Sequence, residues 1–295
     1  QQDRQLKLIA KSLEKKIKSE LLDMLKQERE KYEQFFKAFG LQLKYGVYHE
    51  YGAHKDLLQD LLLFYSSKEQ KLVTLDEYLE RMPENQKFIF YATGESVQRA
   101  DRLPQTELVK DKSFEILYLT DDVDEFALRM LHAYKGKEFK SVSSGDLGLE
   151  SEDEKEAEKQ AENYKELFRF MQESLGGKVK EVRLSTRLKS HPVCLTSDGA
   201  LSLEMEKILN ALPQENKVKA ERILEINGNH PILDKLNQLY LEDRDKLKAY
   251  SELLYGQALL IEGLSIEDPV AFSSLLSELM AEKVSEPGQS ADSDE

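Results

Sequence analysis

The 295-residue sequence has no tryptophan, one cysteine, five histidines and seven prolines. No apolar run approaches the roughly 20 residues needed to cross a membrane. A single cysteine, Cys194, excludes an intramolecular disulfide and a cysteine metal cluster, and fits a reducing, cytoplasmic setting. Positive charge is in deficit, since 42 Lys+Arg against 56 Asp+Glu give a net charge of −14. That deficit argues against nonspecific nucleic-acid binding, which needs a basic footprint to displace counterions, and against an anionic membrane surface. Glycine is present but placed wrongly for phosphate chemistry. No two glycines are separated by one residue, and neither Gly-x-x-x-x-Gly-Lys nor Gly-x-Ser-x-Gly occurs. Leu175-Gly176-Gly177-Lys178 closes a helix instead of opening one, so its backbone N–H groups would not face an anion.

What remains is a chain of 40% hydrophobic and 33% charged residues, long enough for two domains and for burial of about three quarters of its unfolded surface. Apolar residues recur at Leu6, Ile9, Leu13, Ile17, Leu21, Met24 and Leu25, the spacing of one helical stripe. Helical pieces continue at 32–39 and 57–65. Thr74 followed by Glu77 reads as a helix N-cap with its returning carboxylate. Residues 1–84 are therefore expected to be a helical segment. Short aromatic and β-branched runs at 87–92, 114–119 and 138–143, alternating with helical stretches at 96–100 and 123–134, predict a small parallel βαβαβ sheet over 85–144.

The charge-rich stretch 145–165, empty of large apolar residues after Leu149, reads as a linker entering a helix and hence as a domain boundary. Residues 166–284 follow as an α+β unit. It has a helix to about Ser174, strands near 179–185, 193–196 and 222–226, an amphipathic helix at 201–212 and three closing helices. The tail 285–295, with nothing larger than Ala291 among its apolar residues, is expected to be disordered. The overall fold class is α/β, α+β taken as a whole, ending in a helix bundle.

Candidate chemistry is sparse. His49 and His54 are five residues apart, about 140° round a helix, where a zinc pair needs four; surface histidines are the simpler reading. Cys194, in Pro192-Val193-Cys194-Leu195, reads as a buried strand thiol. Thr93, Gly94, Asp121 and Asp122 stand at the carboxyl edge of the sheet, where α/β folds bind ligands, and could serve a nucleotide-using enzyme. Helix capping by Asp121 and Asp122 accounts for them without function.

Two apolar features are left. Leu201, Met205, Ile208 and Leu212 form a stripe with Leu209 beside it, suited to core packing or to a partner-binding surface. Leu253, Leu254, Ala258 and Leu259, followed by Phe272, Leu275, Leu276, Leu279 and Met280, make two apolar helices at the end of an acidic chain. A four-helix homodimer interface would bury them, in preference to a hairpin within one subunit.

The strings themselves resemble a known family. Met82-Pro83-Glu84-Asn85-Gln86-Lys87-Phe88-Ile89-Phe90-Tyr91-Ala92-Thr93-Gly94-Glu95-Ser96 is similar to a signature segment of the ninety-kilodalton heat-shock chaperones. Asp122-Val123-Asp124-Glu125-Phe126, Leu43-Lys44-Tyr45-Gly46-Val47, Leu224-Glu225-Ile226-Asn227-Gly228-Asn229-His230 and Leu254-Tyr255-Gly256-Gln257-Ala258-Leu259-Leu260 match further blocks in the family's order. The resemblance covers residues 1–284. It implies the later part of a middle domain (1–144) joined to a carboxy-terminal dimerisation domain (166–284) of a bacterial member.

It implies too that ATP and Mg²⁺ bind in an amino-terminal domain outside this chain. Gln1 aligns with the first glutamine of the catalytic loop, so the arginine that reaches the γ-phosphate falls just upstream and the chain alone is expected to be inactive as an ATPase. Client contacts are implied at Glu125, Phe126, Arg129, Leu201, Met205, Ile208 and Leu209. Phe126 stands where the family has tryptophan, and Arg129 where it has a neutral polar residue. The implied partners are a second copy, unfolded client proteins and another chaperone system. The chain ends Asp292-Ser293-Asp294-Glu295, so tetratricopeptide cochaperones are not expected. The resemblance shifts the 201–212 stripe toward partial exposure, where apolar burial at roughly 25 cal/mol per Å² would hold unfolded segments. A rigid scaffold without a client surface is the remaining alternative.

Overall fold

The computed structural model describes residues 2–149, 152–213 and 216–281. Gln1 and the tail 285–295 lie outside them. Two long helices open the chain, α1 (Gln2–Gln27) and α2 (Arg29–Gly52). A short α3 (Lys55–Leu58) leads to strands β1 (Leu63–Ser66) and β2 (Leu72–Thr74) and helix α4 (Leu75–Arg81). Next come β3 (Ile89–Thr93), α5 (Val97–Asp101), α6 (Glu107–Asp111), β4 (Ile116–Leu119), α7 (Asp124–Leu131), β5 (Ala133–Tyr134) and β6 (Lys137–Ser141). The second unit runs α8 (Glu152–Ser174), β7 (Glu181–Ser185), β8 (Val193–Asp198), α9 (Leu203–Ala211), β9 (Glu221–Asn227), α10 (Pro231–Glu242), α11 (Arg244–Glu262) and α12 (Pro269–Ala281).

The expected parallel core is present, with β4, β3 and β6 side by side, but the sheet is larger than the sequence suggests. Its order is β2-β1-β4-β3-β6-β5, with β1, β2 and β5 added antiparallel. The reading of 57–65 as helical, and of 1–84 as a purely helical segment, is corrected here. Leu61, Leu62, Leu63 and Phe64 are all buried, and a continuous apolar run looks the same in a two-faced strand as in a core helix. Pairing with β2 and β4 decides between them.

Chain direction places helices on both faces of the sheet. The connections from β3 to β4 and from β4 to β6 run opposite ways across it, so right-handed crossovers send them to opposite sides. Ile89, Tyr91, Leu117 and Leu119 pack with Ala127, Leu128 and Leu131 of α7. Phe90, Ala92, Ile116 and Tyr118 pack with Ala100, Leu103, Leu108 and Val109. The Thr74 cap forms as read, accepting from Glu77 N–H at 3.1 Å while the Glu77 carboxylate accepts from Thr74 N–H at 2.8 Å.

The stretch 145–165, read as a charged linker entering a helix, is helical from Glu152 onward. Beyond it a three-stranded sheet of order β7-β9-β8 is covered by α8, α10 and α11, with Leu167, Met171, Leu224, Leu236 and Ala258 in one core. The two units are hydrogen-bonded at their junction. Gly145 N–H donates to the Ser197 carbonyl at 2.8 Å, and Ser197 N–H to that of Ser143 at 3.0 Å.

Candidate functional site

Helix α7 is anchored at its start by Asp124, whose carboxylate accepts from the backbone N–H groups of Thr120 (3.1 Å) and Asp121 (3.0 Å). The buried Lys44 of α2 reaches Asp124 at 2.6 Å and Asp121 at 2.7 Å. Burial raises the Asp124 carboxyl above its usual range against the pull of Lys44. Asp121 and Asp122 are therefore not the caps the sequence suggested. The carboxylate that turns the chain into α7 is Asp124, and Asp121 is a partner of Lys44. A nucleotide reading of Thr93 and Gly94 also meets an obstacle. A Cβ on Gly94 would fall 2.9 Å from the Ala100 backbone nitrogen, so this glycine lets α5 approach the strand end.

One turn of α7 carries the implied client residues, and the structure separates them. Glu125 is 2% exposed. Its carboxylate accepts from the hydroxyls of Tyr91 (3.1 Å) and Ser202 (2.7 Å), with Arg129 Nη2 at 3.5 Å. The side chain implied as a client contact points into the protein. Burial pushes its carboxyl above the usual range, while Ser202, Arg129 and Tyr91 pull it down. Phe126 is half-buried and meets Tyr48 edge-on, ring centroids 5.7 Å apart. Arg129 also donates to the Ala200 carbonyl, so it ties α7 to the segment before α9.

On α9, Ser202 is the N-cap and accepts from Met205 N–H at 3.1 Å. Leu203 and Glu206 are the inward residues. Glu206 receives Arg222 Nη2 at 2.5 Å and Ala220 N–H at 2.8 Å. Lys207 donates to the Glu262 carbonyl at 3.0 Å, and Asn210 to that of Val218 at 2.8 Å. Met205, Ile208 and Leu209 are half-buried, Leu212 is exposed, and Leu201, ahead of the helix, packs on the second core. The structure thus brings α7 and α9 together through Tyr91, Glu125 and Ser202. Ser202 was readable as a cap ahead of an apolar run. Its partner 77 residues away was not.

The dimer candidates divide into two groups. Leu254, Ala258 and Leu259 are buried in the core of their own subunit, and Leu253 is buried too, so their assignment to an interface is corrected. Helix α12, by contrast, has no buried residue. Phe272 lies on Gly256 of α11, where a Cβ would sit 2.6 Å from the ring. Val270, Leu276 and Met280 are 76%, 43% and 72% exposed, with Leu260 of α11 exposed as well.

His49 and His54 flank Glu50 at 4.0 and 3.7 Å and are surface residues. Among the described residues no group of three His, Cys, Asp or Glu side chains could hold a metal, and no helix is long and apolar enough to cross a membrane. Cys194 is buried, and its thiol is pushed up by burial and by the neighbouring Glu225 carboxylate.

Comparison with known proteins gives a consistent result. The family described as Hsp90 protein matches residues 1–295. Chaperone protein HtpG of Clostridium acetobutylicum is 62% identical over 280 residues, covering 95% of this chain and 45% of the relative. Chaperone protein HtpG of Bacillus subtilis is 61% identical over 281 residues, and that of Halalkalibacterium halodurans 60% over 281, with the same coverage. The chain spans less than half the length of these curated relatives.

Proposed function

The chain belongs to the Hsp90 protein family, and from that premise we propose that it is the client-binding and dimerising part of an ATP-dependent molecular chaperone. The observation that carries the reading is α9. A helix whose apolar residues Met205, Ile208 and Leu209 stay half exposed, held by polar contacts and adjoining the α7 that bears Phe126, offers adaptable apolar area without sequence demands. Unfolded polypeptide is the partner such a surface fits. Helix α12 supplies a second apolar face, and pairing it with α12 of another copy covers Val270, Leu276 and Met280.

In this reading ATP and Mg²⁺ act in sequence beyond the part matched here, and dimerisation raises the effective concentration of two such ATPase units for each other. Transfer of clients to or from another chaperone system belongs to the same proposal. The test is suppression of aggregation of a thermally unfolding reporter enzyme by the 295-residue chain. Protection lost on Met205→Asp, with the dimer mass retained in light scattering, is the expected result. Undiminished protection would return α9 to a purely structural role. Titration calorimetry with Mg·ATP is expected to show no saturable heat; saturable binding would favour the enzyme alternative at Thr93, Gly94, Asp121 and Asp122.

A further inference from the structure

Helix α9 is an unusual carrier for a binding surface because so little apolar packing holds it. Leu203 is its one fully buried apolar residue, and its other anchors are hydrogen bonds and ion pairs: Ser202, Glu206, Lys207 and Asn210. Among the contacts described for these four, that of Ser202 with Glu125 is the one that reaches the first domain. Its hydroxyl has both of its capacities in use, accepting from Met205 N–H at 3.1 Å to cap α9 and donating to Glu125 Oε2 at 2.7 Å. Glu125 in turn meets three donors, the Ser202 and Tyr91 hydroxyls and the Arg129 guanidinium. Tyr91 belongs to β3 at the centre of the first sheet, so the chain of contacts runs from a rigid strand to the first turn of α9.

Resting on the client-surface reading above, we propose that Glu125 is a positioning residue that makes one binding surface out of two. It holds the cap of α9 against α7, so that Phe126 and Met205, on different domains, face a client in a fixed relation. Phe126 follows Glu125 immediately, and Met205 is the residue whose N–H Ser202 caps, so a shift in the bond between Glu125 and Ser202 moves both apolar anchors relative to each other. Arg129, donating to the Ala200 carbonyl, is a second strap across the same gap. The consequence for binding is preorganisation: a client spanning both patches does not have to order the interdomain gap first.

The test uses the full chain with spin labels at Asp122→Cys and Ala211→Cys, both exposed positions, the native Cys194 being buried, and with unlabelled protein in excess. Ser202→Ala is expected to broaden the distance distribution and to weaken binding of a permanently unfolded, thiol-blocked fluorescent polypeptide by about 5- to 10-fold, the loss of one or two hydrogen bonds. Ser202→Thr, which keeps the hydroxyl, is expected to restore both readouts. Glu125→Ala is expected to match Ser202→Ala, which serves alone if the buried-site variant does not fold. An unchanged distribution in Ser202→Ala overturns the proposal. So does a Glu125→Ala protein that loses affinity while its distribution stays narrow, since that makes Glu125 a direct contact. Met205→Asp tests the client surface itself by affinity alone, so the two readings fail separately.

Discussion

Arg187, 1% exposed, pairs with the fully buried Glu225 at 2.9 Å and donates across the domain junction to the carbonyls of Val142 (2.7 Å) and Gly145 (3.0 Å). Arg183 adds a second guanidinium, bonding Glu225 at 2.8 Å. Burial opposes the charge on Glu225, but the two arginines together hold its carboxyl below the usual range. One ion cluster inside the second domain thereby fixes the chain that leaves the first. Glu107 makes a parallel clasp, accepting from Ser190 N–H at 3.1 Å and lying 2.7 Å from the His191 ring.

Arg187→Met is expected to destabilise the chain by about 3 kcal/mol, because it takes one of two guanidinium partners from a buried carboxylate and the side-chain donor from the Val142 carbonyl, while Gly145 keeps Arg183. Urea unfolding followed by circular dichroism measures this. A loss below about 1 kcal/mol would mean that Arg183 alone satisfies Glu225.

Acid and base should act oppositely on Glu262, which burial raises to about 7 from the ordinary 4.5 against Lys207, the Gln105 amide and Arg99, with Glu204 reinforcing the rise. A carboxyl raised in the folded state contributes its stability below pH 4.5 and loses it as pH climbs to about 7. Glu262→Gln should therefore melt higher than the parent at pH 8, by the equivalent of up to about 3 kcal/mol, and differ little at pH 4.5. Melting curves at the two pH values decide; a difference independent of pH contradicts the assignment.

The exposed face of α12 leads to a sharp contrast between neighbouring leucines. Leu276→Asp and Met280→Asp are expected to yield folded monomers in light scattering at micromolar concentration. Leu254→Asp, in the core, should instead unfold the second domain. A parent chain that is itself monomeric would remove α12 as a self-association surface.

Gly256→Ala places a methyl carbon 2.6 Å from the Phe272 ring. The overpacking should cost about 1–3 kcal/mol or push α12 away from α11, and in either case weaken self-association. Sedimentation equilibrium would register the shift, and an unchanged dimer constant would show that Phe272 has room to turn.

Much of this protein is written in local pattern. The stripe of α1, the Thr74 cap, the β3 and β4 runs, the amphipathic α9 and the family blocks around Phe88 and Leu224 all depend on residues close to one another along the chain. Periodicity and capping chemistry are local, and so they were readable. The same locality explains the errors. Leu61 to Phe64 is apolar throughout, which leaves strand and helix indistinguishable until β2 and β4 flank the strand. Leu254 and Leu276 have similar hydropathy, yet one completes a core and the other faces outward.

The sequence alone therefore determined the family, the mixed α/β class and the existence of two apolar features in an acidic chain. Tertiary structure decided which face of each feature is spent inside the subunit, and that Glu125, adjacent to the half-buried Phe126, is buried under Ser202. Burial is a property of what packs on a residue from far along the chain, and no spacing within a helix carries that information.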